Sequence, residues 1–217
     1  MGITKAKYEL LKKNYGRTSS WAVWDKPLSK ERNSKENVGT MEWMKNEDSL
    51  IKKLKTDFVF IAFNGSSSHD GETGHQPNTP WANFHSCYTY GRDYVLRFAI
   101  LETEAEGSYI TDLIKDYQTA NAPDAIKQLN LNNNKAELEK HISKLTNELE
   151  ILCGNKKPCL IALGRKTAHF LNKTLGKRGY DIRYLQHYSS FLNFQKYRET
   201  LKEIIQSKTD SRKRNEE

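Results

Sequence analysis

The chain has 217 residues, of which 29% are charged and 36% hydrophobic, and its formal net charge is +8. This length suits one domain with a core of its own. A basic balance favours an anionic partner, most often nucleic acid, although an ordinary basic surface stays open as the alternative. No stretch approaches the ~18 apolar residues of a membrane span, and the first residues lack the apolar centre of a signal peptide. We therefore expect a cytoplasmic protein.

The three cysteines are Cys87, Cys153 and Cys159. Their spacing is wide and irregular, they form no CxxC pair, and an iron–sulfur cluster would need four thiolates. We predict free, reduced thiols in or near the core.

The N-terminal part of the chain leads into one strongly apolar strand. In chain order we predict a short helix within residues 1–19, an edge strand or lid at Trp21–Trp24, a polar loop over residues 25–40, a helix at Asn46–Lys55 and a strand at Asp57–Phe63. The last of these is almost wholly apolar and ends at Asn64-Gly65. This pattern is typical of a central parallel strand that has helices on both faces.

The rest of the chain alternates between helices and strands. Strands are predicted at Ser108–Thr111, Pro158–Leu163 and Asp181–Leu185, and helical segments at Trp81–Tyr88, Asp93–Glu102, 121–152, Arg165–Leu175 and Asn193–Gln206. Such alternation implies right-handed crossovers and a parallel sheet. We expect a three-layer α/β fold with a central four-stranded parallel sheet. The expected divisions are an N-terminal extension (1–56) packed on the core, the α/β domain (57–207) and a disordered polar tail (208–217).

Four polar clusters follow the four predicted parallel strands. They are Asn64-Gly65-Ser66, Thr111-Asp112, Gly164-Arg165 and His187-Tyr188-Ser189. The carboxyl ends of parallel strands lie at one edge of a sheet, where α/β proteins bind their ligands. We therefore expect one cavity there. The small residues 65–68 would let backbone amides approach a phosphate. A ring of Trp81, Phe84 or Tyr88 would stack on a base, unless these rings only fill the core.

A second hypothesis concerns metal binding. The loop after the first parallel strand contains His69, Asp70, Glu72 and His75, and His85 follows nearby. Hydrolytic metal sites use these ligand types. The spacing matches no helical ligand pair such as HExxH, so a metallohydrolase is the weaker hypothesis.

Three of the polar clusters resemble motifs of the uracil-DNA glycosylase superfamily, most closely its mismatch-specific uracil/thymine branch. That branch has G-I-N-P-G after the first strand, G-[IF]-T-[NK]-[LM]-V after the second and H-P-S after the last. In the same order, within residues 57–198, this chain has Ala62-Phe63-Asn64-Gly65-Ser66, Tyr109-Ile110-Thr111-Asp112-Leu113-Ile114 and His187-Tyr188-Ser189. The resemblance implies the superfamily's fold. It also implies an enzyme that flips a damaged or mismatched base, such as uracil or a deaminated base, out of DNA and hydrolyses its N-glycosidic bond.

The resemblance assigns roles to the matching positions. Asn64 takes the position of the water-positioning residue, and His187 that of the histidine that stabilises the departing base, so these two are the expected catalytic residues. Phe84 is the expected stacking ring, although no motif fixes it. The other expected substrate contacts are Gly65, Ser66, Thr111, Asp112 and Ser189. The expected contacts with the DNA backbone are Ser67, Arg165, Lys166, Tyr188 and Ser190.

The chain also departs from the motifs. Ala62 replaces a glycine, and Gly65 and Tyr188 replace prolines, which indicates differently shaped loops. Asp112 stands where the branch has Asn or Lys. An ionised carboxylate accepts hydrogen bonds but donates none, so it suits an exocyclic amino group better than a uracil carbonyl. These departures favour an alternative, a non-catalytic nucleic-acid or nucleotide-binding protein of the same fold.

Each candidate has a purely structural interpretation as well. Asn64-Gly65 is compatible with a simple turn, Asp112 with a cap of the next turn, and His187 with an ordinary surface histidine. Arg165 and Lys166 are compatible with a solvated helix end. On the glycosylase interpretation the expected partner is DNA, with no cofactor, no metal and no membrane, and the expected state is a monomer.

Overall fold

Within the residues that the structure describes, five strands form one sheet at the centre of the protein. The computed structural model describes residues 2–25, 29, 31, 33–66, 79–119, 121–190 and 193–216. The strands are β1 (Ser19–Trp21), β2 (Lys55–Ser66), β3 (Ser108–Thr119), β4 (Cys159–Leu163) and β5 (Ile182–Leu185), in the order β1-β3-β2-β4-β5 across the sheet. Strands β2 to β5 are parallel, and β1 pairs antiparallel with β3. The predicted α/β class and its four parallel strands are confirmed, and a fifth strand is added at the edge.

Seven helices cover the two faces of the sheet within the described ranges. They are α1 (Lys5–Tyr15), α2 (Glu47–Ile51), α3 (Asp93–Ile100), α4 (Ala122–Gln128), α5 (Lys135–Cys153), α6 (Arg165–Lys173) and α7 (Phe194–Glu216). None of them is long and apolar enough to cross a bilayer. The three cysteines, all of them described, form no disulfide with one another, and Cys159 is buried.

Strand β2 is central because both of its faces are apolar. Phe58, Phe60 and Ala62 pack in the cluster that contains the buried residues of α3 and α7. The alternate residues Val59 and Ile61 pack in the cluster that contains α1, α5 and α6. Successive side chains of a strand point to opposite faces, so a continuous apolar run requires a cover on each side. The result is three layers of helix, sheet and helix.

The N-terminal residues contribute directly to the sheet and the core. Trp21 of β1 lies with its ring centroid 4.8 Å from that of Tyr109 on β3, and it has no exposed surface. The Trp81 indole nitrogen donates to the Tyr8 hydroxyl of α1 over 3.0 Å. Residues 2–25 are therefore an edge strand and a helix of the same domain.

Several predicted elements differ from the structure, among them the edge strand, which is Ser19–Trp21 rather than Trp21–Trp24, and the segment 121–152, which forms two helices, α4 and α5. Strands β2 and β3 each have 12 residues and run to Ser66 and Thr119, beyond the predicted ends at Phe63 and Thr111. Residues 81–88 form turns rather than a helix, and the left-handed φ of Trp81 and Phe84, 64° and 66°, accounts for this. Helix α2 is shorter than predicted. Helix α7 extends to Glu216, into the segment for which we expected a disordered tail.

Candidate active site

A cavity of about 550 Å³ opens at the carboxyl edge of the parallel strands. Nine of the predicted site residues line it: Asn64, Gly65, Phe84, Asp112, Arg165, Lys166, His187, Tyr188 and Ser189. Its size lies within the range of small-molecule sites in proteins. The position follows from the topology, since the ends of β2, β4 and β5 meet at this edge.

His187 is held as a neutral hydrogen-bond donor. Its Nδ1 lies 2.8 Å from the Ser189 hydroxyl and 3.3 Å from the Ser189 backbone nitrogen. A backbone N–H only donates, so Nδ1 is the acceptor and the ring proton sits on Nε2. The surrounding protein atoms, which replace water around the ring, lower the pKa of His187 to about 4. At neutral pH the cavity therefore contains an uncharged imidazole that can donate from Nε2.

The ring of Tyr188 packs against the imidazole of His187. The two rings stack with centroids 4.4 Å apart. Tyr188 is only 8% exposed, and its hydroxyl hydrogen-bonds to the carboxylate of Asp93, at the start of α3. Burial is the main cause that raises the pKa values of both Tyr188 and Asp93. The predicted contact between Tyr188 and the DNA backbone is not supported, because this side chain is used inside the protein.

Asp112 presents one carboxylate oxygen without a partner. The residue is 3% exposed, and Oδ2 accepts a 2.9 Å hydrogen bond from Nδ2 of Asn83. Oδ1 is buried and has no hydrogen-bond partner among the described residues. Burial raises the pKa of Asp112 to about 7, although the Asn83 hydrogen bond and the charge of Lys115 act in the opposite direction. A buried polar atom without a partner is uncommon and costly, and Asp112 also lines the cavity, so Oδ1 is a candidate position for a ligand contact.

Asn64 lies at the end of β2 with its amide group fixed. Nδ2 donates to Oγ1 of Thr119 over 2.9 Å and to the carbonyl of Gly65 over 2.8 Å. The side-chain carbonyl remains as the acceptor on this residue. Asn64 thus has the chemistry to orient a water molecule in the cavity. The interpretation of Asn64-Gly65 as a simple turn is wrong, since β2 continues through both residues.

Aromatic rings form one wall of the cavity. Phe84 is 6% exposed and has a φ of 66°. A bulky residue in the left-handed region costs roughly 1–3 kcal/mol and persists where the surroundings fix it, often at a functional site. The rings of Tyr88 and Tyr90 also line the cavity and stack nearly parallel, with centroids 5.0 Å apart. The wall can accept a flat aromatic ligand.

Two basic side chains link the cavity to a neighbouring depression. Arg165 and Lys166, exposed in the first turn of α6, line both the main cavity and a second one of about 480 Å³. Gly164, before the helix, has no capping side chain. The first turn of a helix also presents free backbone N–H groups, so this region favours anions.

Three further predicted contacts, all of them described residues, do not line the cavity. Thr111 points to the opposite face, where its hydroxyl lies 3.0 Å from Glu148, because adjacent strand residues alternate in direction. Ser190 supports the turn by donating to the carbonyl of His187. The backbone of Ser66 pairs with Thr119, whereas Ser67 lies outside the described residues.

The other two hypotheses for this region have separate outcomes. The interpretation of Asp112 as a cap is wrong, since this residue lies inside β3. Four of the residues behind the metal hypothesis, within 69–75, lie outside the described residues. The fifth, His85, is buried, with Nε2 3.2 Å from the carbonyl of Trp21. Among the residues that are described, no group of three or more potential ligands is positioned to hold a metal ion.

A buried ion pair lies behind Asp112. The Lys115 ammonium lies 2.5 Å from Glu148 of α5 and donates to the Thr111 hydroxyl and to the backbone carbonyl of Asp112. Tyr109 adds a 2.8 Å hydrogen bond to Glu148. Both charged side chains are almost wholly buried. This network fixes the backbone of β3 at the position that carries Asp112.

The sequence did not predict the residues whose side chains hydrogen-bond to Asp112, Tyr188 and Asn64, which are Asn83, Asp93 and Thr119. Asn83 is next to Phe84, and Thr119 ends a strand whose length the sequence did not reveal. Asp93 begins α3 and has the usual sequence pattern of an acidic residue in a first helical turn. None of these positions has a local pattern that distinguishes it from surface residues.

Comparison with known proteins gives no assignment. No protein-family model matches the chain, and no curated protein shows significant sequence similarity to it.

Proposed function

We propose that the protein is a DNA glycosylase that hydrolyses the N-glycosidic bond of a modified or mismatched base. The observation that carries this proposal is the neutral imidazole of His187 in the same cavity as Asn64, Phe84 and the buried Asp112. The resemblance of three strand-end motifs to uracil-DNA glycosylases supports the same reaction. The net charge of +8 is favourable for a DNA partner.

The chemistry requires a leaving base to be stabilised as an anion. A nucleotide flipped out of DNA would place its base against the Phe84 wall. When the C1′–N bond breaks, the electron pair stays on the base, and Nε2–H of His187 donates to the developing negative charge. A water molecule oriented by Asn64 adds its oxygen to C1′, and the proton it loses ends on the released base. Electrostatic stabilisation of the anion is the main contribution to the rate.

The DNA backbone has a suitable surface beside the cavity. Arg165 and Lys166 are exposed between the two depressions and can contact the phosphates that flank a flipped nucleotide. Phosphate contacts of this kind position the strand without reading its sequence.

A non-catalytic nucleotide-binding protein is the second candidate. The observation that favours it is the amide of Asn64, whose donors are already bound to Thr119 and Gly65. An amide whose donors are both bound within the protein can stabilise the end of β2 without any catalytic role.

A base-release assay separates the two candidates. Labelled oligonucleotides that contain uracil, hypoxanthine, xanthine, a G·T mismatch, 5-methylcytosine or N6-methyladenine are incubated with the protein and then cleaved with hot alkali at abasic sites. Wild type, Asn64→Ala and the exposed control Asn155→Ala are compared. The glycosylase predicts cleavage of at least one substrate by wild type and Asn155→Ala, with a strong loss in Asn64→Ala but little loss of binding. Salt-sensitive binding by all three proteins without cleavage would contradict it and support the binding protein.

A further inference from the structure

Oδ1 of Asp112, which has no hydrogen-bond partner among the described residues, has no role in the proposed reaction. It is buried, on a residue that lines the cavity, while the other oxygen of the same carboxylate is held by Asn83. Asn83 is itself fixed, because its amide also donates to the backbone carbonyl of Thr18 over 2.9 Å. The carboxylate is therefore locked in one orientation, with Oδ1 directed away from its protein partner.

We propose that Asp112 selects the base, and that the cavity takes a nucleobase with an exocyclic amino group, of the cytosine or adenine type, whose N–H donates to Oδ1. This inference rests on the proposed function for the reaction, but it concerns recognition of the base alone. Uracil and hypoxanthine, which have a carbonyl in place of that amino group, are disfavoured.

The preference follows from the hydrogen-bonding groups that each base presents. A carbonyl oxygen placed at Oδ1 would bring two acceptors together when the carboxylate is ionised. The N3–H of uracil is not an equivalent substitute, because it lies between two carbonyl oxygens that would face the carboxylate. The N1–H of hypoxanthine lies beside one such carbonyl oxygen. An amino group at the edge of a ring supplies a donor without a carbonyl on its own carbon. A site that hydrogen-bonds one such group rejects the analogue that lacks it, since its buried atom is left without a partner.

The hydrogen bond from Asn83 to Asp112 leads to a specific prediction for the substitution Asp112→Asn. In Asp112→Asn the new amide has one oxygen and one nitrogen. Asn83 donates, so it holds the oxygen, and the amide nitrogen then replaces Oδ1 in the cavity. The variant presents a donor where wild type presents an acceptor. Its preference should therefore change from amino-bearing to carbonyl-bearing bases.

The charged and titratable groups near Asp112 set the pH range of the test. Lys115 lies on the same strand, and Glu148 packs behind it on α5. The titratable residues that line the same cavity are Tyr88, Tyr90, Arg92, Asp93, Arg165, Lys166, His187 and Tyr188. With a pKa of about 7, Asp112 is mostly ionised at pH 8 and mostly protonated at pH 6. The protonated form donates, so the preference for amino-bearing bases should be strong at pH 8 and weaker at pH 6.

The experiment measures binding of free bases, which requires no bond cleavage. Dissociation constants of cytosine, uracil, adenine and hypoxanthine, each methylated on the nitrogen that bears the sugar in DNA, are obtained by ligand-observed NMR at pH 6 and pH 8 for wild type, Asp112→Asn and the control Asp48→Asn. Asp48 is an exposed carboxylate on α2 that pairs with Lys5. At pH 8 we expect wild type and Asp48→Asn to bind cytosine over uracil, and adenine over hypoxanthine, by about 10-fold or more. Asp112→Asn should prefer uracil and hypoxanthine.

The outcomes also separate this inference from the proposed function. Equal binding of cytosine and uracil by wild type at pH 8, no binding of any base, or an unchanged preference in Asp112→Asn would overturn the inference. If Asp112→Asn does not fold, the change of preference in wild type between pH 6 and pH 8 decides the question. Amino-selective binding without base release would support the inference while the proposed reaction fails. Base release without amino selectivity would support the proposed reaction and overturn the inference about Asp112.

Discussion

At the scale of single residues, His187 is defined by the hydrogen bonds at Nδ1. Because Ser189 donates to that nitrogen and the residue is partly buried, the imidazole should stay neutral well below the usual pKa of histidine. We expect its Cε1–H resonance to be constant from pH 8 to pH 5 and to titrate only near pH 4. NMR titration of the six histidines, with the resonance assigned by its disappearance in His187→Ala, tests this. A midpoint near 6.5 would contradict the donor assignment.

The same residue should dominate the chemical step. Removal of one donor that stabilises an anion in a transition state commonly costs 10²–10³-fold in rate. We expect His187→Ala to reduce single-turnover base release by about 100-fold or more, with oligonucleotide affinity changed by less than about 5-fold. Equal losses in rate and affinity would indicate a residue that only binds DNA.

At the scale of elements, the β4–α6 connection positions both His187 and the basic residues. Gly164 has a φ of 100°, and a Cβ there would lie 3.6 Å from the Cβ of His187. A side chain at this φ is strained, so Gly164→Ala should lower the free energy of unfolding by roughly 1–3 kcal/mol and reduce base release. Gly176→Ala is the control, because Gly176 does not have a positive φ. Urea unfolding checks the prediction, and equal stabilities of the two variants would refute it.

The strands illustrate what local sequence patterns determine. All four parallel strands were predicted because their apolar runs are bounded by polar residues, and the alternation with helices implied their direction. The ends of β2 and β3 were not, since Asn64–Ser66 and Leu113–Thr119 contain polar residues that pair only through contacts between distant segments. The turn at residues 81–88 was missed for a related reason. The apolar spacing of Trp81, Phe84 and Tyr88 reports burial, whereas positive φ angles break the helix.

The site shows the same division between local and distant information. Asn64, Asp112 and His187 were predicted because they follow apolar strand residues in the right order. Thr111 was assigned to the cavity wrongly, although strand alternation allows only one of Thr111 and Asp112 to face it. The lock on Asp112 depends on Asn83, which is 29 residues away in the chain. No local pattern in the sequence indicates such an interaction.

At the scale of the whole molecule, the net charge of +8 should act through particular side chains. The slope of log K against log salt becomes shallower by about 0.7–0.9 when the protein neutralises one phosphate fewer. For oligonucleotide binding, we expect the double variant Arg165→Gln/Lys166→Gln to reduce the magnitude of this negative slope by about 1.4–1.8. The exposed pair Lys52 and Lys53, beside the opposite edge of the sheet, provides a control of equal charge, Lys52→Gln/Lys53→Gln. Equal changes of slope in the two double variants would show that binding is diffuse.

At the same scale, the buried carboxyl group of Asp112 should lower the protein's free energy of unfolding when it is ionised. Its pKa is raised from 3.8 to about 7, so the folded protein holds this proton more tightly than the unfolded chain. The associated stability is present below pH 4 and is lost as pH rises through 7. Asp112→Asn has the shape of the protonated form and no charge to bury. Relative to wild type, its free energy of unfolding should rise between pH 4 and pH 8 by on the order of 2–4 kcal/mol.

Urea unfolding of both proteins at several pH values measures this difference, and other titrating groups cancel in the comparison. A difference that is constant with pH would mean that Asp112 is not buried as a charge, and it would remove the reason for a ligand at Oδ1. A difference that grows as predicted would show that the fold retains a destabilising carboxylate. Such a residue is expected where function, rather than stability, determines which side chain is kept.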